Sequence, residues 1–110
     1  MRILAIERER PTPIQINLPD LLRDEAAGLW DLNKRGLVRD LWFTADRHAV
    51  LMLECINGAD ARKHLAALPM VRTGLIDFTI HELQTYDGFE RLFATGTEPV
   101  VIKQQEPAEY

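Results

Sequence analysis

The sequence predicts an α+β protomer with elements in the order β, α, β, β, α, β, the ferredoxin-like pattern in which helices cover one face of an antiparallel sheet. Three observations carry this. Two amphipathic helical stretches alternate with runs of strand character, a short polar turn joins the middle two runs, and each helix spans a gap long enough for a crossover. The 110 residues, 46% hydrophobic and 27% charged, suit a single compact domain.

The first strand is the apolar run Ile3 to Ile6, closed by Glu7-Arg8-Glu9-Arg10 and by Pro11 and Pro13. From Asp20 to Arg35, Leu22, Ala26, Leu29 and Leu32 recur at three- and four-residue spacings, with acids early and Lys34-Arg35 late, as suits a helix and its dipole. Gly36 supplies the left-handed residue that ends it. Leu37 to Thr44 alternates Leu37, Arg39, Leu41 and Phe43 against Val38, Asp40, Trp42 and Thr44, and His48 to Ile56 is a second strand. Ala45-Asp46-Arg47 between them is hairpin-length, so the two strands are expected to be antiparallel neighbours. Asn57 is a candidate N-cap for a second helix over Ala59 to Leu68, which Pro69 is expected to end. Leu75 to Leu83 sets Ile76, Phe78 and Ile80 against Asp77, Thr79 and His81 in the last strand.

The third strand is apolar on both faces: Ala49, Leu51 and Leu53 fill one side, and Val50 and Met52 lie between His48 and Glu54 on the other. Helices on one face cannot cover both, so a homodimer or higher homo-oligomer is expected. Residues 1–85 make the protomer. The segment 86–110 differs: Tyr86, Phe89, Leu92, Phe93 and Val100 to Ile102 are too apolar to be left in water, so residues 86–102 are expected to close over the barrel or cross to a partner, and Gln104 to Tyr110 to be mobile.

Several function classes fall away. Thirteen Lys+Arg against seventeen Asp+Glu give a net charge of -4 with no block of either sign, so no nucleic-acid partner is expected. Cys55 is the only cysteine, which excludes an intramolecular disulfide and a cysteine-based zinc module. No stretch approaches the ~20 apolar residues of a membrane helix and no export signal is visible, so no membrane partner is expected and the cytoplasm is the expected location. His48, His64 and His81 lack metal-ligand spacing, so no metal is expected, and no Gly-rich phosphate loop occurs, which speaks against phosphoryl transfer.

The stretch Leu32 to Trp42, followed by Arg47-x-Ala49, Leu68-Pro69 and Ile76-Asp77, resembles the muconolactone isomerase family of dimeric α+β barrel proteins. The most specific part is Arg39-x-Leu41-Trp42 with Arg47 five residues after the tryptophan. The resemblance implies pairing of sheets into a barrel and cofactor-free, proton-transfer isomerisation of a small unsaturated lactone or related carboxylated ring compound. There are departures: Asp40 stands where the family commonly has histidine, Val50 and Met52 replace polar residues, Cys55 replaces an acid, and the loop from Met70 to Gly74 is longer.

Proton transfer between carbons needs a base close to the carbon acid and a group that steadies the enolate. Asp77, Thr79 and His81 form one polar stripe in which imidazole is the base and the carboxylate its orienter, or else an ordinary wet strand face. Glu54 is either a desolvated carboxyl with a raised pKa or one paired with an arginine. Arg39 and Arg47 are candidate carboxylate grips, with Asp40 and Asp46 as competing ion-pair partners. His48 lies at the end of the same apolar strand face, and Trp42, like Trp30, packs in the core by default or forms a pocket wall. His64 belongs to a solvated helix face. Two other functions fit the architecture: a cofactor-free monooxygenase or cyclase on an aromatic polyketide-like substrate, and a non-catalytic binding or assembly protein.

Overall fold

The computed structural model describes residues 1–11 and 17–93. They form β1 (Arg2–Glu9), α1 (Leu18–Lys34), β2 (Val38–Phe43), β3 (Ala49–Glu54), α2 (Gly58–Ala66), α3 (Pro69–Arg72) and β4 (Ile76–Glu82), then a 3-10 turn over Gly88–Leu92. The strands make one antiparallel sheet in the order β2-β3-β1-β4, the ferredoxin-like arrangement that the element order predicts. The expectations for Pro13, for Val100 to Ile102 and for the tail from Gln104 fall outside the described residues.

Local chemistry sets the boundaries. Asn17 accepts a hydrogen bond from the Asp20 amide and starts α1, and Asn57 does the same for Asp60 at the head of α2. Gly36 takes φ +76° and turns the chain into β2. Between β2 and β3 the Thr44 hydroxyl accepts from the His48 amide, while Arg47 sits at φ +67°, left-handed backbone that a residue with a Cβ adopts only under strain.

The core lies between the sheet and the helices. Ile3 and Ala5 of β1, Leu51 and Leu53 of β3 and Ile76 and Phe78 of β4 meet Leu32, Ala61, Leu65 and Leu68. Burial of each Ile, Leu or Phe in this set is worth about 1.5–3 kcal/mol.

Three expectations are corrected. Pro69 does not simply end a helix: Leu68 is extended and Pro69 opens α3, whose first turn suits proline's fixed φ, so the predicted loop from Met70 to Gly74 is mostly helical. An irregularity at Arg39 breaks the simple alternation of β2. Val38 pairs with Leu53 and Leu41 with Leu51, so Val38 shares the helix-side face with Leu41 and Phe43 instead of opposing them. Trp30 and Trp42 are 64% and 67% exposed in the protomer and do not pack in its core.

Directly opposed residues share a face, so two rows cross the side of the sheet away from the helices: Asp40, Met52, Leu4 and His81, then Trp42, Val50, Ile6 and Thr79. Leu4, Ile6, Val50 and Met52 are only half-buried there. Past β4, the Tyr86 and Phe89 rings meet edge to face at 5.1 Å, and Tyr86, Phe89, Leu92 and Phe93 are all exposed in this protomer.

Candidate active site

The apolar stripe of α1 runs Leu22, Glu25, Leu29, Leu32, and its second member is a glutamate. Glu25 is 7% exposed, the one buried charged residue among those described. Its Oε1 accepts a hydrogen bond of 3.0 Å from the Met70 amide, which ties α1 to the first turn of α3. That bond alone would justify a polar residue here, yet Glu25 also lines a cleft of about 570 Å³ between α1 and the β2–β3 hairpin end of the sheet. Leu22, Leu29, Phe43, Met70 and Phe78 supply apolar wall, and Glu7, Glu9, Arg10 and Arg47 supply charge.

The second carboxylate follows from alternation. Ile3, Ala5 and Glu7 occupy one face of β1, so the strand that delivers two core residues delivers Glu7 to the cleft. Burial pushes the carboxyls of both Glu7 and Glu25 above the ordinary glutamate value of 4.5. For Glu25 the Met70 amide opposes the rise, the charge of Glu7 adds to it and Arg72 opposes it. For Glu7 the Ala49 amide and His48 oppose the rise and Glu9 adds to it. Arg47 is exposed, lines the cleft from the hairpin, and holds its guanidinium carbon 4.1 Å from the Phe43 ring centroid. Neither Arg39 nor Arg47 is ion-paired among the described residues; Asp46 faces His48 instead. Apolar walls, two desolvated carboxyls and two guanidiniums suit a small ring compound bearing an acid group.

The residues singled out from the sequence lie mostly elsewhere. Asp77 and His81 are on the open sheet face: Asp77 is ion-paired with Arg8 at 3.3 Å, and its carboxyl is held below the usual range by the Phe78 amide and Arg8. Glu54 meets the N-terminal ammonium at 3.1 Å and Arg2 at 3.6 Å, and the ammonium foremost keeps its carboxyl low. His48 lies 3.5 Å from Glu9 and 3.8 Å from Asp46, Arg39 is exposed beside the β2 irregularity, and His64 is 3.4 Å from Asp60. Trp42 on β2 and His81 on β4 stand at opposite edges of the sheet, about 14 Å apart at the usual strand spacing, so one protomer does not bring them together. Only Arg47 of the predicted set lines the cleft. Among the described residues, no three His, Cys, Asp or Glu side chains converge as a metal site, and no helix is long and apolar enough to cross a membrane.

No protein-family model matches the chain, and no curated protein matches it. Solved structures do. Muconolactone isomerase aligns over 79% of this chain and 92% of its own with a TM-score of 0.66 at 17% sequence identity. The 5-chloro-2-hydroxyhydroquinone dehydrochlorinase of Burkholderia phenoliruptrix AC1100, solved with 2,5-dihydroxybenzoquinone, aligns over 80% of this chain and 98% of its own with a TM-score of 0.56 at 16% identity. At such identities the likeness is one of architecture, and the chain has the fold of muconolactone isomerase.

Proposed function

We propose that the protein is an enzyme that moves a proton between carbons of a small carboxylated ring compound, an unsaturated lactone or a relative of one, within the cleft under α1. The observation that carries this is two carboxyls desolvated by burial, with Arg10 and Arg47 lining the same largely apolar cleft. Arg47 grips the substrate carboxylate at the mouth, the ring lies against Leu22, Leu29 and Phe78, and Glu7, half-buried and nearer the hairpin, takes the proton. The C–H electron pair flows into the conjugated carbonyl as an enolate, and return of the proton at another carbon completes the isomerisation with nothing gained or lost. The names of the two structural neighbours support the class, since isomerisation of a lactone and loss of HCl from a chlorinated hydroxyhydroquinone are both proton-transfer reactions of small rings.

The reading includes a second copy of the chain over the open sheet face, with residues 86–93 closing the cleft or reaching that copy. Such a copy would also enclose the face that carries His81, Asp77, Trp42 and Glu54. This gives a second possible seat for the chemistry, favoured by the two cross-strand rows that set Trp42, Asp40, Thr79 and His81 around Val50 and Met52.

A panel of unsaturated lactones and quinol-type compounds tests the function. Turnover of a lactone that Glu7→Gln abolishes and His81→Ala leaves intact supports the cleft, and the reverse pattern moves the site to the sheet face. Oxygen consumption with quinols favours a monooxygenase, and binding without turnover removes the enzyme reading. Arg47→Gly isolates the grip. Glycine adopts φ +67° without strain while the contact with Phe43 is lost, so the unfolding free energy should change by less than about 1 kcal/mol. Benzoate, a minimal aromatic acid, should bind about tenfold more weakly or worse. Unchanged benzoate affinity would remove Arg47 from the site.

A further inference from the structure

The β2–β3 hairpin carries Arg47 to the cleft in a conformation that has to be held. The Thr44 carbonyl accepts from the Arg47 amide at 2.9 Å and the Thr44 amide donates to the His48 carbonyl at 2.8 Å, a short turn whose last position is left-handed. Glycine is the usual occupant of such a position, and a residue with a Cβ persists there only where its surroundings over-determine it. The Phe43 ring beneath the guanidinium is one constraint. The half-buried His48 supplies another. Its Nε2 lies 3.5 Å from a Glu9 carboxylate oxygen at the end of β1, and its Nδ1 lies 3.8 Å from an Asp46 carboxylate oxygen at the turn. Both are ion-pair distances, and they reach from the hairpin to the neighbouring strand.

A neutral imidazole offers one N–H, whereas imidazolium offers two, together with a charge that attracts both carboxylates. We propose that His48 as imidazolium latches the hairpin to the end of β1 through Glu9 and Asp46, and thereby positions the Arg47 guanidinium at the cleft mouth. His48 is a positioning residue that acts on a ligand only through Arg47, and this role rests on the reading of the cleft as a site for a carboxylated compound. The ionisable groups facing the ring are Glu7 and Glu9 from β1 and Asp46 and Arg47 from the hairpin. Arg8 is drawn away to Asp77 at 3.3 Å, Arg10 acts on the same Asp77, and β2 presents Phe43 and Thr44 beside the turn. Imidazole changes its charge between about pH 5 and 8, so the latch is engaged on the acid side and slack on the alkaline side. Loss of its charge also leaves Glu7, Glu9 and Asp46 uncompensated beside the path of an anionic ligand.

The test compares the wild type with His48→Gln, which keeps a polar side chain at the position and does not titrate. Exchange of the Arg47 amide, followed by NMR, reports opening of the turn directly, and its intrinsic rate does not depend on the side chain at 48. At about pH 5.5 this amide should exchange about threefold more slowly in the wild type, and at about pH 8 the two proteins should agree. Salt at ~1 M should abolish the difference, because Glu9 and Asp46 are exposed and their charges are screened. Benzoate, anionic at both pH values, should lose about threefold more affinity between them in the wild type than in His48→Gln, while Glu7 titrates in both proteins and cancels from the comparison. The proposal is overturned if the two proteins exchange alike at about pH 5.5, if the difference persists at about pH 8 or in ~1 M salt, as packing of the ring alone would give, or if benzoate responds alike in both. Failure of benzoate to bind the wild type at either pH would overturn the carboxylate grip and the function built on it, while the exchange comparison would still decide the latch.

Discussion

Glu7→Gln should lower kcat for a lactone substrate by about 10²–10⁴-fold, the usual contribution of a positioned general base, with KM within a few-fold because the grip on the acid group is untouched. The accompanying pH profile is fixed by sign. Glu7 works as carboxylate, and burial lifts its pKa above 4.5, so the rate should fall on acidification at a pH higher than an exposed glutamate would give. Stability follows the same logic. A carboxyl whose folded pKa is raised holds its proton more tightly in the folded chain, so its contribution is complete below 4.5 and is lost as pH rises through the folded value. Denaturant midpoints of wild type and Glu25→Gln should therefore diverge in favour of the variant between acid and neutral pH. Parallel pH curves would show that Glu25 is not desolvated in solution.

The second large effect is on assembly. Light scattering at micromolar concentration should give at least twice the 12.6 kDa chain mass, because Leu4, Ile6, Val50, Met52 and Trp42 form an apolar face that no helix among the described residues covers. Val50→Lys should reduce the particle to a monomer. In a two-fold pairing of this face the substitution is present twice, and two lysines on opposed sheets repel one another as well as losing apolar contact. Its circular dichroism should remain that of the wild type, since Val50 points away from the core that Leu51 and Leu53 build. A wild-type monomer, or a Val50→Lys oligomer, would end the pairing argument.

The fold was legible because its signals are local: the Asn57 cap, Gly36, the short Ala45-Asp46-Arg47 turn and the alternation of Ile76 to His81. The candidate cleft was less so. Residue type points to histidines and to Glu54 and Asp77, and these two carboxyls are ion-paired and held below their ordinary pKa. The more informative signal was positional. Glu25 interrupts the 22, 25, 29, 32 stripe of α1, and Glu7 continues the Ile3, Ala5 face of β1, so each is a charge where a core residue is due. Reading Ala26 in place of Glu25 as the stripe member hid the first. What no local pattern contains is that the two stripes end over the same cavity, because this depends on the crossing of α1 over the sheet.

The irregularity at Arg39 bears on how this protein behaves when crowded. β2 and β4 are edge strands, and an open edge can template fibre growth by adding strands from other chains. The out-of-register residue and the exposed Arg39-Asp40 pair interrupt one edge, and Asp77, His81 and Glu82 place charge along the other. Growth by edge addition is thereby discouraged while the broad apolar face stays open to a partner. The sheet is thus guarded against endless polymerisation while it stays receptive to closed, countable association, and concentrated solutions should remain clear and free of thioflavin-binding fibrils.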